Sequence, residues 1–163
     1  MAEAEVTPIQ LAMVAVTIGP GSFTGTRAAL SLAHGIALAA RVPLVGVTVG
    51  EALAVPDCGR AQWVAVDTRR GRVFLERDAG VATVTLDALP APSGPVSVAG
   101  DAAIAVASRL AARGADVLLL PARTPTPAGV AAAARRRVGG GPDPRPVQPL
   151  YVDPPEARPA KPG

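Results

Sequence analysis

The chain has 163 residues, 49% of them apolar, a formal net charge of +3 and one cysteine, Cys58. That length fits one ordinary domain or two small lobes sharing an interface; one cysteine excludes an intrachain disulfide, and one histidine, His34, leaves too few ligands for a zinc site. No apolar run is long enough to span a bilayer, and the acidic start MAEAEVTPIQ lacks the basic region of a secretory signal, so a reducing cytoplasm is the expected compartment.

A charge of +3 is weak evidence for a nucleic-acid partner, because mild basicity is common in soluble proteins. Aromatic residues are restricted to Phe23, Trp63, Phe74 and Tyr151, so the core must be built from small aliphatic side chains.

In chain order, Leu11–Ile18 is a short apolar run that reads as a buried strand. Gly19-Pro20-Gly21-Ser22-Phe23-Thr24-Gly25 must break it, and Thr26–Ala40 then has helical spacing, with Ser22 or Thr24 as N-cap. On that helix Ala28, Ala29, Leu32, Ala33, Ile36, Ala39 and Ala40 form a broad apolar face, expected to be the core side. Arg27, Ser31, His34, Gly35 and Leu38 form a mixed face on the other. Pro43 ends the helix; Leu44–Thr48 is a second strand, and Thr48 caps a short helix, Val49–Ala54.

Composition shifts at Pro56-Asp57-Cys58-Gly59. Gln62–Thr68, Arg72–Arg77 and Val81–Leu86 follow as an antiparallel meander. Val96–Ala99 is a strand, Asp101 the expected N-cap of a helix over Ala102–Arg113, and Asp116–Leu120 a buried strand. Thr126-Pro127 opens a helix to about Val138, and Gly139-Gly140-Gly141 closes it. The Pro-rich remainder is irregular, with only Val147–Val152 apolar enough to dock on the body. These signals divide the chain into a first lobe over residues 1–57, a second over 58–141 and a tail over 142–163. The fold class is α/β.

No catalytic pattern is met. The glycine loop matches neither G-x-x-x-x-G-K-[ST] nor G-x-G-x-x-G, so it reads as a structural turn, with an anion contact as the alternative. Ser22 lacks the G-x-S-x-G setting, and His34 lies about three helical turns along the chain from it. Asp67 reads as a turn cap rather than a cation ligand. Arg135-Arg136-Arg137 complements a helix C-terminus, with RNA phosphate as the alternative. Ser31 and Gly35, small residues four apart, allow a second helix to approach closely, so the mixed face is a candidate protein–protein surface. No catalytic residue, cofactor or metal ligand is assigned.

The run Val16-Thr17-Ile18-Gly19-Pro20-Gly21-Ser22-Phe23-Thr24-Gly25-Thr26-Arg27 resembles the TsaB (YeaZ) family, bacterial accessory proteins of tRNA threonylcarbamoyladenosine biosynthesis. Asp67-Thr68-Arg69-Arg70-Gly71-Arg72-Val73-Phe74 is similar to that family's D-A-R-R-G-E-V-Y hairpin, Gly100-Asp101 to its G-D turn, and Pro149-Leu150-Tyr151-Val152 to its P-x-Y-L segment. The resemblance implies two ribonuclease-H-like lobes of the actin/Hsp70/sugar-kinase superfamily. It also implies a non-catalytic subunit that pairs with a TsaD-like transferase subunit, is joined by a TsaE-like ATPase and serves tRNA indirectly, with a homodimer as another association. Because the family's partner surface is made by first-lobe helices, the implied contact positions here are Arg27, Leu30, Ser31, His34, Gly35 and Leu38.

The sequence departs from the family at Arg72, where the family is acidic, and at Phe74, where it has Tyr. The family's opening strand with Asp-Thr-Ser, its meander and a long helix, roughly 40 residues at typical lengths, find no counterpart before Leu11. The first lobe is therefore expected to be N-terminally incomplete. The competing expectations are a peptidase or phosphotransferase of the same superfamily, or a truncated, non-functional product.

Overall fold

A computed structural model describes residues 7–55, 59–78, 80–140 and 145–152. A 3-10 turn over Pro8–Gln10 precedes strand β1 (Val14–Gly19), helix α1 (Phe23–Ala40), strand β2 (Leu44–Thr48) and helix α2 (Val49–Leu53). The chain continues through β3 (Ala61–Asp67), β4 (Val73–Arg77), β5 (Gly80–Val84), β6 (Val96–Ala99), α3 (Ala103–Ala111), β7 (Val117–Leu119) and α4 (Pro127–Val138). The expected boundary at Pro56-Asp57-Cys58 lies outside the described residues, as does the tail beyond Val152.

Two sheets result. β1 and β2 pair in parallel, Val14 opposite Leu44 and Val16 opposite Gly46, with α1 as the crossover that a parallel pair requires. The second sheet has the order β5-β4-β3-β6-β7. Its first three strands are an antiparallel meander, and β6 and β7 extend it in parallel, joined through α3. Both units thus contain a strand–helix–strand crossover, and the second adds the meander. The hairpin residue Phe74 sits in register opposite Val66, and Val73 opposite Asp67, so the substitutions at positions 72 and 74 leave the β3–β4 ladder intact.

Side chains alternate across each strand, and the alternation places the cores. Trp63, Ala65, Val73, Leu75, Val96 and Val98 face α3, which buries Ala103, Val106 and Leu110 against them. The opposite face of the same sheet presents Val64 and Ala99, which pack with Leu120 and with Leu53 of α2. In the first unit Val16 and Ile18 face Leu30 and Ala33 of α1. Val47 lies on the other side, against Ala52, Ala133 and Ala134.

Helix α4 therefore docks on the first sheet: it packs against α2, β1 and β2. This corrects the expected second lobe of 58–141, which counted α4 with the five-stranded sheet. Thr126 caps α4, its hydroxyl accepting from Gly129 N–H at 3.1 Å, with Pro127 in the first turn. Its contact is made by Val130, Ala133 and Ala134 and by Gly129, where a Cβ would run into the Ala52 carbonyl. Residues 145–152 also return to the first unit, so that unit is discontinuous in sequence and encloses the second.

Asp101 is not the N-cap of α3. The cap position is Ala102, which offers no side-chain bond, and Asp101 Oδ1 instead accepts Asp67 N–H at 2.8 Å. β1 starts at Val14 rather than Leu11, and α1 starts at Phe23, so the last three residues of the expected loop form its first turn.

Leu110, fully enclosed between α3 and the sheet, is expected to cost about 2–5 kcal/mol as Leu110→Ala in urea unfolding. Ile104→Ala on the exposed side of the same helix should stay within about 0.5 kcal/mol of the parent.

Candidate functional site

The glycine loop is where β1 hands over to α1. Gly19 closes β1, and Pro20 is buried behind it. Ser22 is the N-cap: its Oγ accepts Gly25 N–H at 3.2 Å while its carbonyl accepts Thr26 N–H at 2.9 Å. Phe23, Thr24 and Gly25 are the exposed first turn, and Gly21 and Ser22 are exposed beside them. The Ser22 hydroxyl is thereby committed to the helix backbone.

The buried stripe of α1 is Leu30, Ala33 and Ala37, a spacing of three and four. This overturns the expected orientation: Ala28, Ala29, Leu32 and Ala39, assigned to the core, are exposed. Leu30, assigned to the partner face, is only 5% exposed and belongs to the core. The cause lies elsewhere in the chain. Val147 and Leu150 of the C-terminal segment pack beside Val16, Ile18 and Leu30, and they determine which side of this alanine-rich helix is covered.

That segment is a strap, held by polar contacts as well. Leu150 N–H donates to the Ile18 carbonyl at 2.8 Å. His34 Nε2 donates to the Val147 carbonyl at 3.2 Å. Arg27 lies over the Phe23 ring, 3.2 Å from its centroid, donates to the Phe23 carbonyl at 3.2 Å and reaches the Tyr151 hydroxyl. Arg27 and His34 thus face the chain's own C-terminal segment. Ser31, Gly35 and Leu38 are exposed beside them, Leu38 at 82%.

The open face of α1 runs through Ala28, Ser31, Leu32, Gly35, Leu38 and Ala39. A Cβ at Gly35 would meet no atom within 4 Å, and Leu32 is 66% exposed. Small side chains at 28, 31, 35 and 39, flanked by two leucines, leave a shallow apolar surface that suits a second helix. Leu32 and Ala28 were missed as surface residues because periodicity alone placed them inward.

A second polar cluster lies where the two units meet. Thr48 caps α2 with a reciprocal box: Glu51 N–H donates to Thr48 Oγ1 at 3.0 Å and Thr48 N–H to Glu51 Oε2 at 2.8 Å. Arg137 Nε donates to Glu51 Oε2 at 3.2 Å, and its second contact with Glu51 completes an ion pair that is mostly out of water. Burial pushes the Glu51 carboxyl up, but the Arg137 and Thr48 hydrogen bonds and the charges of Arg137 and Arg145 outweigh it and hold it below the ordinary value. Arg136 donates to the Glu51 carbonyl at 2.8 Å, so two of the three helix-end arginines serve the junction. Asp67 caps its turn by accepting Arg69 N–H at 2.7 Å. Among the described residues, no three His, Cys, Asp or Glu side chains gather as metal ligands, and no helix is long and apolar enough to cross a membrane.

A crossover unit and a meander-plus-crossover unit, with the last helix returning to the first sheet, define an actin-like α/β protein of the ribonuclease-H-like kind. Two solved structures from Pseudomonas aeruginosa share this fold. One, described as an uncharacterized protein with similarity to peptidase YeaZ, aligns with a TM-score of 0.72 at 21% identity over 93% of this chain and 78% of the other. YeaZ itself aligns at 0.70 and 22%, over 93% and 79%. An uncharacterized protein of Mycobacterium bovis is 34% identical over 163 residues, 98% of this chain and 72% of that one. TsaB of Escherichia coli, named for tRNA threonylcarbamoyladenosine biosynthesis, is 37% identical over 60 residues, 34% of this chain and 26% of that one. The model of the TsaD family, tRNA N6-adenosine threonylcarbamoyltransferase, matches residues 1–118. The chain belongs to this family, and within it is TsaB/YeaZ-like.

Arg27→Ala should loosen the strap by about 1 kcal/mol, read as roughly fivefold faster amide exchange at Leu150 with the β3–β6 amides unchanged. Glu51 carries the opposite sign from a group whose pKa is raised. Its folded value lies below the ordinary 4.5, so its contribution is complete above that pH and is lost as pH falls through the folded value. Glu51→Gln should therefore lower the urea midpoint at neutral pH and flatten the acid limb of the stability curve.

Proposed function

We propose that this chain is the accessory subunit of tRNA N6-threonylcarbamoyladenosine modification, acting in the cytoplasm and binding a TsaD-type transferase subunit through the open face of α1. Family membership and likeness to TsaB give the pathway. The observation that carries the binding mode is the exposed Ala28–Ser31–Leu32–Gly35–Leu38–Ala39 surface, apolar and low enough for a partner helix to lie across Gly35. A TsaE-type ATPase joins that pair, and tRNA is reached through the transferase subunit.

The chain works by shape rather than by chemistry of its own. The Ser22 hydroxyl is spent on the α1 N-terminus, and the sole imidazole, His34, is turned to the Val147 carbonyl. Neither is within contact of the other as nucleophile and base would be. Arg27 and His34 support the surface indirectly, by holding the strap that orients α1.

The test is co-purification of the tagged chain with the TsaD-type subunit of the same organism. Wild type should elute as a stable complex, and Leu32→Glu or Gly35→Trp should weaken it at least about tenfold, near 1.4 kcal/mol. Ile104→Glu on α3 should bind as wild type. Equal binding by Leu32→Glu, or a wild-type chain found only as its own dimer, would overturn the reading.

A further inference from the structure

The second sheet ends at β7. Its residues Val117, Leu118 and Leu119 include no charge and no proline, the devices that ordinarily keep an edge strand from pairing. Within the ladder, Val96 N–H donates to the Asp116 carbonyl at 2.9 Å, and Leu120 N–H donates to the Val98 carbonyl at 2.9 Å. With Ser97 opposite Leu118, the backbone N–H and C=O of Leu118 therefore face β6. Those of Val117 and Leu119 face outward, and no described residue bonds them.

The same edge carries the unit's open apolar side chains. Among the described residues from β3 to β7, the large apolar side chains left in water are Ile104, Leu118 and Leu119, at 58%, 44% and 41% exposure. Leu118 is on the sheet face of Leu120, away from α3, and Leu119 is on the α3 side with Val117. Ile104 also belongs to this edge. The opposite flank of α3 is tied to the connection after β5, where Arg109 pairs with Asp87 and Arg113 donates to the Leu89 carbonyl at 2.8 Å. Ile104 is about 140° around the helix from Arg109, on the flank toward β7.

We propose that β7 is a homodimer edge: two copies of this chain pair β7 to β7 in antiparallel fashion about a two-fold axis at Leu118, joining their five-stranded sheets into one.

The register follows from the outward groups. Val117 of one copy opposes Leu119 of the other, and each such pair exchanges two backbone hydrogen bonds. Leu118 opposes Leu118 across the axis as a non-hydrogen-bonded pair, the arrangement in which side chains approach most closely. Pro121 has no N–H to give, so slipping the register by two residues toward it would lose a bond. The ends match in charge as well. Asp116 opposes Leu120 of the second copy, whose carbonyl holds the Arg123 guanidinium at 2.6 Å, so an acidic end meets a basic one on both sides of the axis. Helix α3 lies over β6, so strands about 4.8 Å apart would set α3 of the two copies about 14 Å from each other. That exceeds the roughly 8–10 Å of direct helix contact, and Ile104 and Leu119 of both copies stand in the gap. The pairing uses neither α1 nor the strap, so it does not depend on which partner the α1 surface binds.

The test begins with sedimentation of the wild-type chain up to about 100 μM, where it should reach twice the chain mass. Leu118→Lys, which sets two like charges face to face at the axis, should weaken association at least about tenfold with the far-ultraviolet spectrum unchanged. Register is read by cross-linking in a Cys58→Ser chain under mild oxidation. Leu118→Cys should form an interchain disulfide readily, because its Cα atoms would be about 4.5 Å apart. Leu119→Cys, diagonal to its own copy at about 7–8 Å, should cross-link far more slowly. A wild-type chain that stays monomeric would overturn the pairing, as would Leu118→Cys cross-linking no faster than Leu119→Cys. A dimer that Leu118→Lys leaves intact and that Leu38→Cys on α1 traps would also overturn it, since the copies would then meet through the first unit. The cross-linking comparison decides the matter even if Leu118→Lys does not fold.

Discussion

Five residues, Val49–Leu53, are what make two sheets into one molecule. A helix this short has no stability of its own, because a single turn cannot offset the cost of nucleating it. It exists because it is capped and because both sides of it are covered. Ala52 and Leu53 are adjacent, and on a helix adjacent side chains point roughly 100° apart. Ala52 consequently meets Ala133 and Ala134 of α4, while Leu53 enters the face of the second sheet with Val64 and Ala99. The Thr48–Glu51 box supplies the missing backbone partners at its start. Remove any of these supports and the others lose their common anchor.

The same economy governs α1. An alanine-rich helix has little preference for which side it buries, and here a remote segment decides. Val147 and Leu150 supply the bulk that the helix lacks, and Arg27 and His34 hold that segment in place from the helix side. Covering one flank leaves the opposite flank bare, with Gly35 at its centre. The two sides of α1 are thus coupled: the residues that grip the strap fix the rotation at which the small-residue face meets solvent.

How much of this can be read from the sequence depends on whether a local signal suffices. β2 has the bounds Leu44–Thr48 that its β-branched run predicts, the meander follows from alternation and turn residues, and Thr126-Pro127 marks the start of α4. The glycine motif and hairpin carry the family. The face of α1 is not legible, since alanines at 28, 29, 33, 37, 39 and 40 satisfy several rotations equally. The docking of α4 escapes for a related reason: Val130, two alanines and one glycine make only a weak apolar stripe. Asp101 looks like a helix cap by position, but a strand N–H from Asp67 competes successfully for it. Glu76 carries no signal at all without the fold, because its partners are the Thr48 hydroxyl and the Gly50 amide, more than twenty residues earlier in the other unit.

The discontinuity of the first unit bears on the order in which the molecule can be completed. Strands β3 to β7 and helix α3 are contiguous in the chain, so their core can close as soon as residue 120 has been made. The pair β1–β2 forms earlier with its crossover α1 over one face, but the other face waits for α4, more than seventy residues after β2, and the α1 side is completed only by the strap. Until then Val47 lacks Ala133 and Ala134, and a two-stranded sheet with one helix has little stability alone. Synthesis from N- to C-terminus therefore makes the first unit the last to be finished, and leaves the face that bears Val47 without α4 during most of the time the chain is being made.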